Sequence, residues 1–130
     1  MKLLLDTHAF LWLLNNDYDH LRGKTAKRLF LDENNTLFFS LVSVWEMAIK
    51  ISLGKLNINQ PLADFIPEQL AINNIQLLDI RFEHLLKTMD LPFHHRDPFD
   101  RLIIAQTFIE DMTLLSIDSV FAAYGVRHVW

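Results

Sequence analysis

Four acidic side chains stand at or near points where an apolar run of the sequence gives way to a helical pattern: Asp6, Glu46, Asp100 and Asp118. Carboxylates that are brought together repel one another, and a bound cation relieves that repulsion. Hard cations such as Mg²⁺ and Mn²⁺ take oxygen ligands. The residue types therefore predict a divalent metal site, provided that the fold brings the four acids together.

The positions of these acids suit one edge of a parallel sheet. Asp6 directly follows the apolar run Leu3–Leu5, which has the pattern of a strand buried on both faces. Right-handed crossovers place all strand-to-helix junctions at the carboxyl edge of such a sheet, where open α/β folds carry their sites. Glu46 lies one turn into a predicted helix, and Asp100 lies at the start of the helix that Asp97 opens.

Hydrophobic periodicity predicts alternating strands and helices along the whole chain. The predicted strands are the opening run, 37–39, 75–78, 113–117 and an edge strand at 126–129. The predicted helices are 7–14, 24–32, 43 to about 54, 61–72, 82–89 and 97–110, with a helical turn at 118–123 and a polar loop at 15–19. This order predicts one domain over residues 1–130, built as a three-layer α/β/α sandwich with a parallel sheet.

Composition excludes several classes of protein. The 12 basic and 16 acidic residues give a net charge of −4, which argues against binding nucleic acid through a general basic field. Cysteine is absent, so disulfides, thiolate metal sites and cysteine nucleophiles are excluded. Because no apolar run is long enough to span a membrane and Asp6 interrupts the first one, we expect neither a membrane helix nor a signal peptide, and a cytoplasmic location.

Each acid also has a purely structural explanation, because helix starts favour acidic residues. Ser43 and Glu46 fit the capping-box pattern. Asp97 before a proline, Asp118 and Asp6 fit N-caps. Caps accept Ser, Thr or Asn as readily as Asp, yet an acid occurs at all four junctions. Together the four favour a metal site.

Other residue types point less clearly to chemistry. His94 and His95 are adjacent on a predicted loop without thiolate ligands, so a surface or hydrogen-bonding role is favoured over a zinc site. A structural role is favoured for His8. Phe10, Trp12 and Trp45 are interpreted as core or interface residues rather than as base-stacking platforms.

Four segments together resemble the PIN-domain family, specifically the VapC-type toxins of bacterial toxin–antitoxin pairs. They are LLLDTHAFLW from Leu3, SVWEMAIK from Ser43, HRDPFDRLIIAQ from His95 and LLSIDSVFAAYGV from Leu114. The segments follow the expected order and extend over the chain. The third segment in combination with the first is specific, whereas LLSID alone is a weak signal.

The resemblance implies an endoribonuclease that uses Mg²⁺ or Mn²⁺ to activate water against an RNA phosphodiester. By this resemblance Asp6, Glu46, Asp100 and Asp118 match the metal-binding acids. Thr7 and Ser116 match positions where small hydroxyls flank the site, and Asp97 is either a supporting acid or a cap. The resemblance also implies an antitoxin that blocks the pocket, with Phe10 and Trp12 lining its groove, and a homodimer.

Three basic residues are candidates for contact with RNA phosphates near this site: Lys50, Arg96 and Arg101. Surface charge is the alternative for each of them, and Arg101 could instead pair with a neighbouring acid. Two other functions stay open. One is a partner-binding domain that keeps the fold without catalysis. The other is a Mg²⁺-dependent phosphotransfer domain, which the sequence disfavours because His8 stands where a haloacid dehalogenase needs a second Asp.

Overall fold

A computed structural model describes residues 1–15 and 25–130. The predicted polar loop from residue 16 onward and the first residue of the second predicted helix lie outside the described residues. Within the described ranges, no helix is both long and apolar enough to cross a membrane.

Five strands form one sheet in which every pair of neighbours is parallel. The strands are β1 (Lys2–Leu5), β2 (Thr36–Ser40), β3 (Ile75–Leu78), β4 (Thr113–Leu115) and β5 (His128–Val129). Their spatial order is β3-β2-β1-β4-β5, so the opening strand of the sequence is the centre of the sheet. The predicted parallel sheet, including its short edge strand, is confirmed.

Helices connect these strands as the periodicity predicts. They are α1 (Thr7–Asn15), α2 (Thr25–Leu31), α3 (Leu41–Ser52), α4 (Leu62–Ile72), α5 (Phe82–Thr88), α6 (Pro98–Glu110) and a 3₁₀ helix at Ser119–Tyr124. Most boundaries agree with the prediction to within one or two residues. Pro61 lies at the N-cap of α4 rather than in its first turn.

The sheet separates two apolar cores, because consecutive side chains of a strand point to opposite faces. Leu4 packs with Leu114 and Ile104 in one core. Leu3 and Leu5 belong to the other core. The predicted α/β/α sandwich is thereby confirmed, and burial of both faces explains why β1 is a continuous apolar run.

The start of α3 differs from the sequence prediction. The helix begins at Leu41, and its N-cap is Ser40, whose Oγ accepts a hydrogen bond of 3.0 Å from the backbone N–H of Val42. The capping box predicted for Ser43 and Glu46 is therefore wrong. The same buried Ser40 hydroxyl donates to Gln106 Oε1 on α6, at 2.6 Å, a tertiary contact that local pattern does not show.

Ser40→Ala should destabilise the protein by about 2–3 kcal/mol, since it removes an N-cap and leaves the buried Gln106 carbonyl oxygen without its donor. Urea unfolding measures this loss. Ser52→Ala is the matched control, because the exposed Ser52 hydroxyl at the other end of α3 donates only to the carbonyl of Ile49. We expect a change below about 0.5 kcal/mol for the control. Equal losses in the two variants would contradict the assignment.

Candidate active site

A cavity of about 200 Å³ opens at the carboxyl edge of the sheet. All four predicted acids line it: Asp6, Glu46, Asp100 and Asp118. Asp6 follows the central strand β1, and Asp118 follows its neighbour β4. The acids of α3 and α6 join them from the helices beside this edge. We call this the acid cavity.

Asp6 is the most firmly held of these acids. Its Oδ1 accepts a hydrogen bond of 2.8 Å from the backbone N–H of Ala9, and its Oδ2 accepts one from the Ser116 hydroxyl. Burial raises the pKa of the Asp6 carboxyl above its ordinary value, while the hydrogen bonds from Ser116 and Ala9 oppose that rise. Glu46 adds a further upward shift of this pKa through its charge.

The pKa of Asp100 shows most clearly that the acids are buried and close to one another. Burial, followed by the charge of Asp97, raises the pKa of the Asp100 carboxyl from 3.8 to about 7. The charges of Glu46 and Asp118 contribute to the rise, while His95 opposes it. Carboxylates from α3, from α6 and from the end of β4 thus lie close enough to disfavour ionisation of one another.

Glu46 is oriented by two neighbours. The Thr7 hydroxyl donates a hydrogen bond of 2.6 Å to Glu46 Oε1. Lys50, one helical turn further along α3, places its Nζ 3.9 Å from Glu46 Oε2. Both Thr7 and Lys50 also line the acid cavity. Lys50 therefore lies at the predicted site, where it balances part of the acidic charge.

The acids can cap helices and line the cavity at the same time. Asp97 accepts the N–H of Phe99 at 2.9 Å as the N-cap of α6, and Asp118 accepts the N–H of Val120 at 3.0 Å as the cap of the 3₁₀ helix. The Ser116 hydroxyl that donates to Asp6 accepts the N–H of Asp118 at 3.0 Å. Capping therefore fixes these acids in place around the cavity.

His95 contacts the site, and its ring makes a hydrogen bond, which is one of the two roles that the sequence favoured over a zinc site. Its Nδ1 accepts the backbone N–H of Asp97 at 2.8 Å, so a neutral ring carries its proton on Nε2. That Nε2 lies 3.1 Å from Asp100 Oδ2. The signal available in the sequence was its spacing, two residues before one acid and five before another. His94 is exposed and packs its ring against Tyr124.

Two other sequence expectations need correction. Arg101 does not face the cavity: its side chain is 8% exposed, and its guanidinium donates to the backbone carbonyls of Thr88, Leu91 and Pro92. We therefore assign Arg101 a structural role, in which it holds the backbone that precedes α6, rather than contact with RNA. Phe10 is fully buried and stacks on Phe39, so it cannot line a partner's groove.

The remaining candidates keep an accessible position. Arg96 is exposed one residue before Asp97. Trp12 is half-buried and packs edge-on against Trp130. Trp45 is exposed beside the acid cavity, which excludes the core position that was one of its two interpretations.

Without metal, the protein should lose stability as the pH rises from about 4 to 7. In this interval the folded Asp100 keeps a proton that the unfolded chain has released, so unfolding becomes easier until the folded carboxyl ionises near its pKa of about 7. Asp100→Asn removes the effect. Because Asp100 keeps 26% of its side chain exposed, we expect the variant to be more stable than wild type by only about 1–3 kcal/mol at pH 8.

Urea unfolding in EDTA across this pH range measures the difference, which should shrink towards pH 4. Asp64→Asn on α4 is the control, because Asp64 is exposed and lies outside the acid cavity. A gain in stability for Asp100→Asn that does not depend on pH would show that ionisation of the Asp100 carboxyl, disfavoured by burial and by neighbouring acids, is not its cause.

Comparison with solved structures identifies the same fold in several bacterial toxin–antitoxin assemblies. A chain of VapBC2 from Rickettsia felis, bound to a DNA fragment of its promoter, has a TM-score of 0.68 at 15% identity, with 100% of each chain covered. A chain of VapBC-1 from nontypeable Haemophilus influenzae has a TM-score of 0.64 at 17% identity, covering 98% of this chain and 96% of that one. VapC20 from Mycobacterium tuberculosis, described as a Sarcin-Ricin loop cleaving toxin, has a TM-score of 0.62 at 17% identity, with 95% of each chain covered.

At these identities the structural likeness establishes the fold alone. No curated protein matches the sequence significantly. The family is established by the sequence itself, because the model of the PIN domain matches residues 3–126, nearly the whole chain. The protein therefore belongs to the PIN-domain family.

Proposed function

We propose that this protein is a metal-dependent endoribonuclease and the toxin of a VapC-type toxin–antitoxin pair. The observation that carries the proposal is the acid cavity, in which the charges of three neighbouring acids help to raise the pKa of Asp100 to about 7. A fold stabilised only by helix caps has no need to direct four carboxylates into one cavity, since the uncharged caps Ser and Asn would avoid the repulsion.

The donor set suits Mg²⁺ or Mn²⁺. Among residues 1–15 and 25–130, no three acidic or histidine side chains are already close enough to enclose a metal ion. The four acids nevertheless offer only carboxylate oxygens, which are the ligands that these hard cations take. Burial and neighbouring acids raise the pKa values of the Asp6 and Asp100 carboxyls, and a bound cation would favour their ionised form. We assign Asp6, Glu46, Asp100 and Asp118 as the residues that would hold the ion.

When bound, the cation would supply a water of lowered pKa and would stabilise the charge that develops on the phosphodiester. The residues of the chain orient the carboxylates for this purpose. Ser116 and Ala9 fix both oxygens of Asp6, and Thr7 fixes Oε1 of Glu46. Such partners keep ligating groups in one orientation.

Binding of RNA beside an acidic cavity needs nearby positive charge. Lys50 lines the cavity, and Arg96 is exposed next to Asp97, so both lie close to the acids. We propose these two for that role. The buried Arg101 is left out for the reason given above.

The biological setting follows from the family and from the neighbours. Several of the similar structures are toxin–antitoxin assemblies, and the net charge of −4 suits a basic partner that inserts a cationic side chain among the acids. We propose a cognate antitoxin, a homodimer and a cytoplasmic location. Trp12, which is half-buried, is the better placed of the two aromatic residues expected in the antitoxin groove.

Purified, partner-free protein should cleave RNA only when Mg²⁺ or Mn²⁺ is present. Asp6→Asn and Asp100→Asn should each lower the rate by about a hundredfold or more, because each removes a charged ligand from the proposed ion. Cleavage of a mixed RNA pool, followed on denaturing gels with each metal and with EDTA, measures this. Asp64→Asn, which lies outside the acid cavity, should cleave as wild type does.

Cleavage that persists in EDTA, or that survives in both acid variants, would remove the metal site from the mechanism. Absence of cleavage with both metals and several RNA classes would instead favour the second function, a partner-binding domain that keeps the fold without catalysis.

Binding of the ion should also be visible without catalysis. Saturation with Mn²⁺ at a hundred times its dissociation constant should stabilise wild type by about 2.7 kcal/mol at pH 8, since the ion binds the folded state and relieves its repulsion. Thermal unfolding with and without Mn²⁺ measures the gain. Asp6→Asn should lose most of it, whereas Asp64→Asn should keep it. An equal gain in Asp6→Asn would place the ion elsewhere.

A further inference from the structure

Asp100 differs from the other three proposed metal ligands in what holds its side chain. Hydroxyl or backbone N–H groups donate hydrogen bonds to the carboxylates of Asp6, Glu46 and Asp118. In the part of the chain that the structure describes, no such donor reaches Asp100, and the polar contact of its side chain is with His95. That histidine is therefore the candidate for orienting Asp100.

The tautomer of the His95 ring is set by the backbone of its own segment. Nδ1 accepts the N–H of Asp97 at 2.8 Å, which requires a lone pair on that nitrogen. In the neutral ring the proton is then on Nε2, and Nε2 lies 3.1 Å from Oδ2 of Asp100. The ring therefore presents a proton, rather than a lone pair, to the carboxylate.

The same tautomer argues against His95 as a ligand of the metal ion. A histidine that binds a metal through Nε2 needs its lone pair there and donates the proton on Nδ1 to an oxygen. Here Nδ1 meets an N–H donor instead. Asp97 and Asp100 line the acid cavity, but His95 is not among the described residues that do. Its effect on the site therefore has to pass through Asp100.

The main chain around His95 is also held by neighbouring elements. The hydroxyl of Tyr124 donates to the carbonyl of His95 at 3.4 Å. Tyr124 is buried at the end of the 3₁₀ helix that Asp118 caps. Arg101 donates at 2.7 Å to the carbonyl of Pro92, three residues before His95. His95 is thus fixed through its ring and through its main chain, as a group that orients a ligand needs to be.

We propose that His95 is a positioning residue for Asp100, which it holds through the Nε2 proton so that the other carboxylate oxygen, Oδ1, is left for the metal ion. This inference rests on the metal site of the proposed function and adds a residue that binds neither the ion nor RNA. Loss of such an outer partner typically lowers metal affinity or activity by about ten- to a hundredfold. Because His95 and Asp100 expose 25% and 26% of their side chains, we expect the lower end of this range.

The alternative is that His95 serves only to accept the Asp97 N–H in the turn before α6. His95→Asn separates the two roles, because an asparagine carbonyl can replace Nδ1 while its shorter side chain does not extend to Asp100. We expect its urea midpoint in EDTA to be close to that of wild type and its dissociation constant for Mn²⁺ to be about tenfold higher. Calorimetric titration with Mn²⁺ at pH 8, without RNA, measures the affinity.

His95→Gln is the converse variant, since its longer carboxamide places an N–H donor near the position of Nε2. It should recover most of the Mn²⁺ affinity, while loss of the acceptor for the Asp97 N–H lowers its urea midpoint. His94→Asn is the matched control, because His94 is the exposed neighbour whose ring packs against Tyr124. It should bind Mn²⁺ as wild type does.

The tautomer can be tested in the wild-type protein. Nitrogen NMR spectra of histidine-labelled protein should show the His95 proton on Nε2, both in EDTA and with saturating Mg²⁺. The signals are assigned by their loss in His95→Asn. A proton on Nδ1 in EDTA, or loss of the Nε2 proton when Mg²⁺ is added, would overturn the proposal, and the second result would make His95 a ligand of the ion.

The Mn²⁺ titration separates this inference from the nuclease function, because no RNA is present. If His95→Asn binds Mn²⁺ as tightly as wild type, His95 is only part of the turn, and a wild type that cleaves RNA keeps its nuclease function without it. If wild type binds no Mn²⁺, the inference fails together with the metal site. If His95→Asn weakens Mn²⁺ binding while wild type cuts no RNA, the positioning role stands and the nuclease function fails.

Discussion

Repulsion between carboxylates at the carboxyl edge of the sheet is the constraint on which the structure of the site depends. The parallel order places β1 between β2 and β4, so the acids that follow these strands are directed to one edge. Hydroxyl groups donate hydrogen bonds to two of the carboxylates: Ser116 donates to Asp6, and Thr7 donates to Glu46. These donors hold the carboxylates in position, yet burial, together with the charges of Asp97, Glu46 and Asp118, still raises the pKa of Asp100 to about 7.

Helix capping and the proposed metal site are two uses of the same residues. Asp97 and Asp118 accept backbone N–H groups at helix starts, and Asp6 accepts the N–H of Ala9 in α1. The partial positive charge of a helix start favours a carboxylate there, which offsets part of the cost of crowding the acids. Helix starts that converge on one edge are therefore what allows this fold to carry so much negative charge in one cavity.

Most of the fold followed from local pattern, because buried strands and amphipathic helices are defined by residues that are near in sequence. The convergence of the acids followed from the parallel topology. Local pattern did not predict which polar side chains are buried through contacts with residues that are distant in the sequence. The Ser40 hydroxyl that caps α3 also bonds Gln106 on α6, and the backbone carbonyl of Pro92 accepts from the buried Arg101 guanidinium. The sequence favoured a hydrogen-bonding or surface role for His95 but did not identify its partners, because these depend on a folded turn that returns the ring to Asp97 and Asp100.

One short segment, residues 95–101, forms a large part of the acid cavity. Within it, Asp97, Phe99 and Asp100 line the cavity, and His95 Nε2 lies 3.1 Å from Asp100 Oδ2. Arg101, at the end of the segment, ties it to the carbonyls of the preceding loop. A single turn at the start of α6 therefore sets the positions of Asp97, Asp100 and the His95 ring relative to one another.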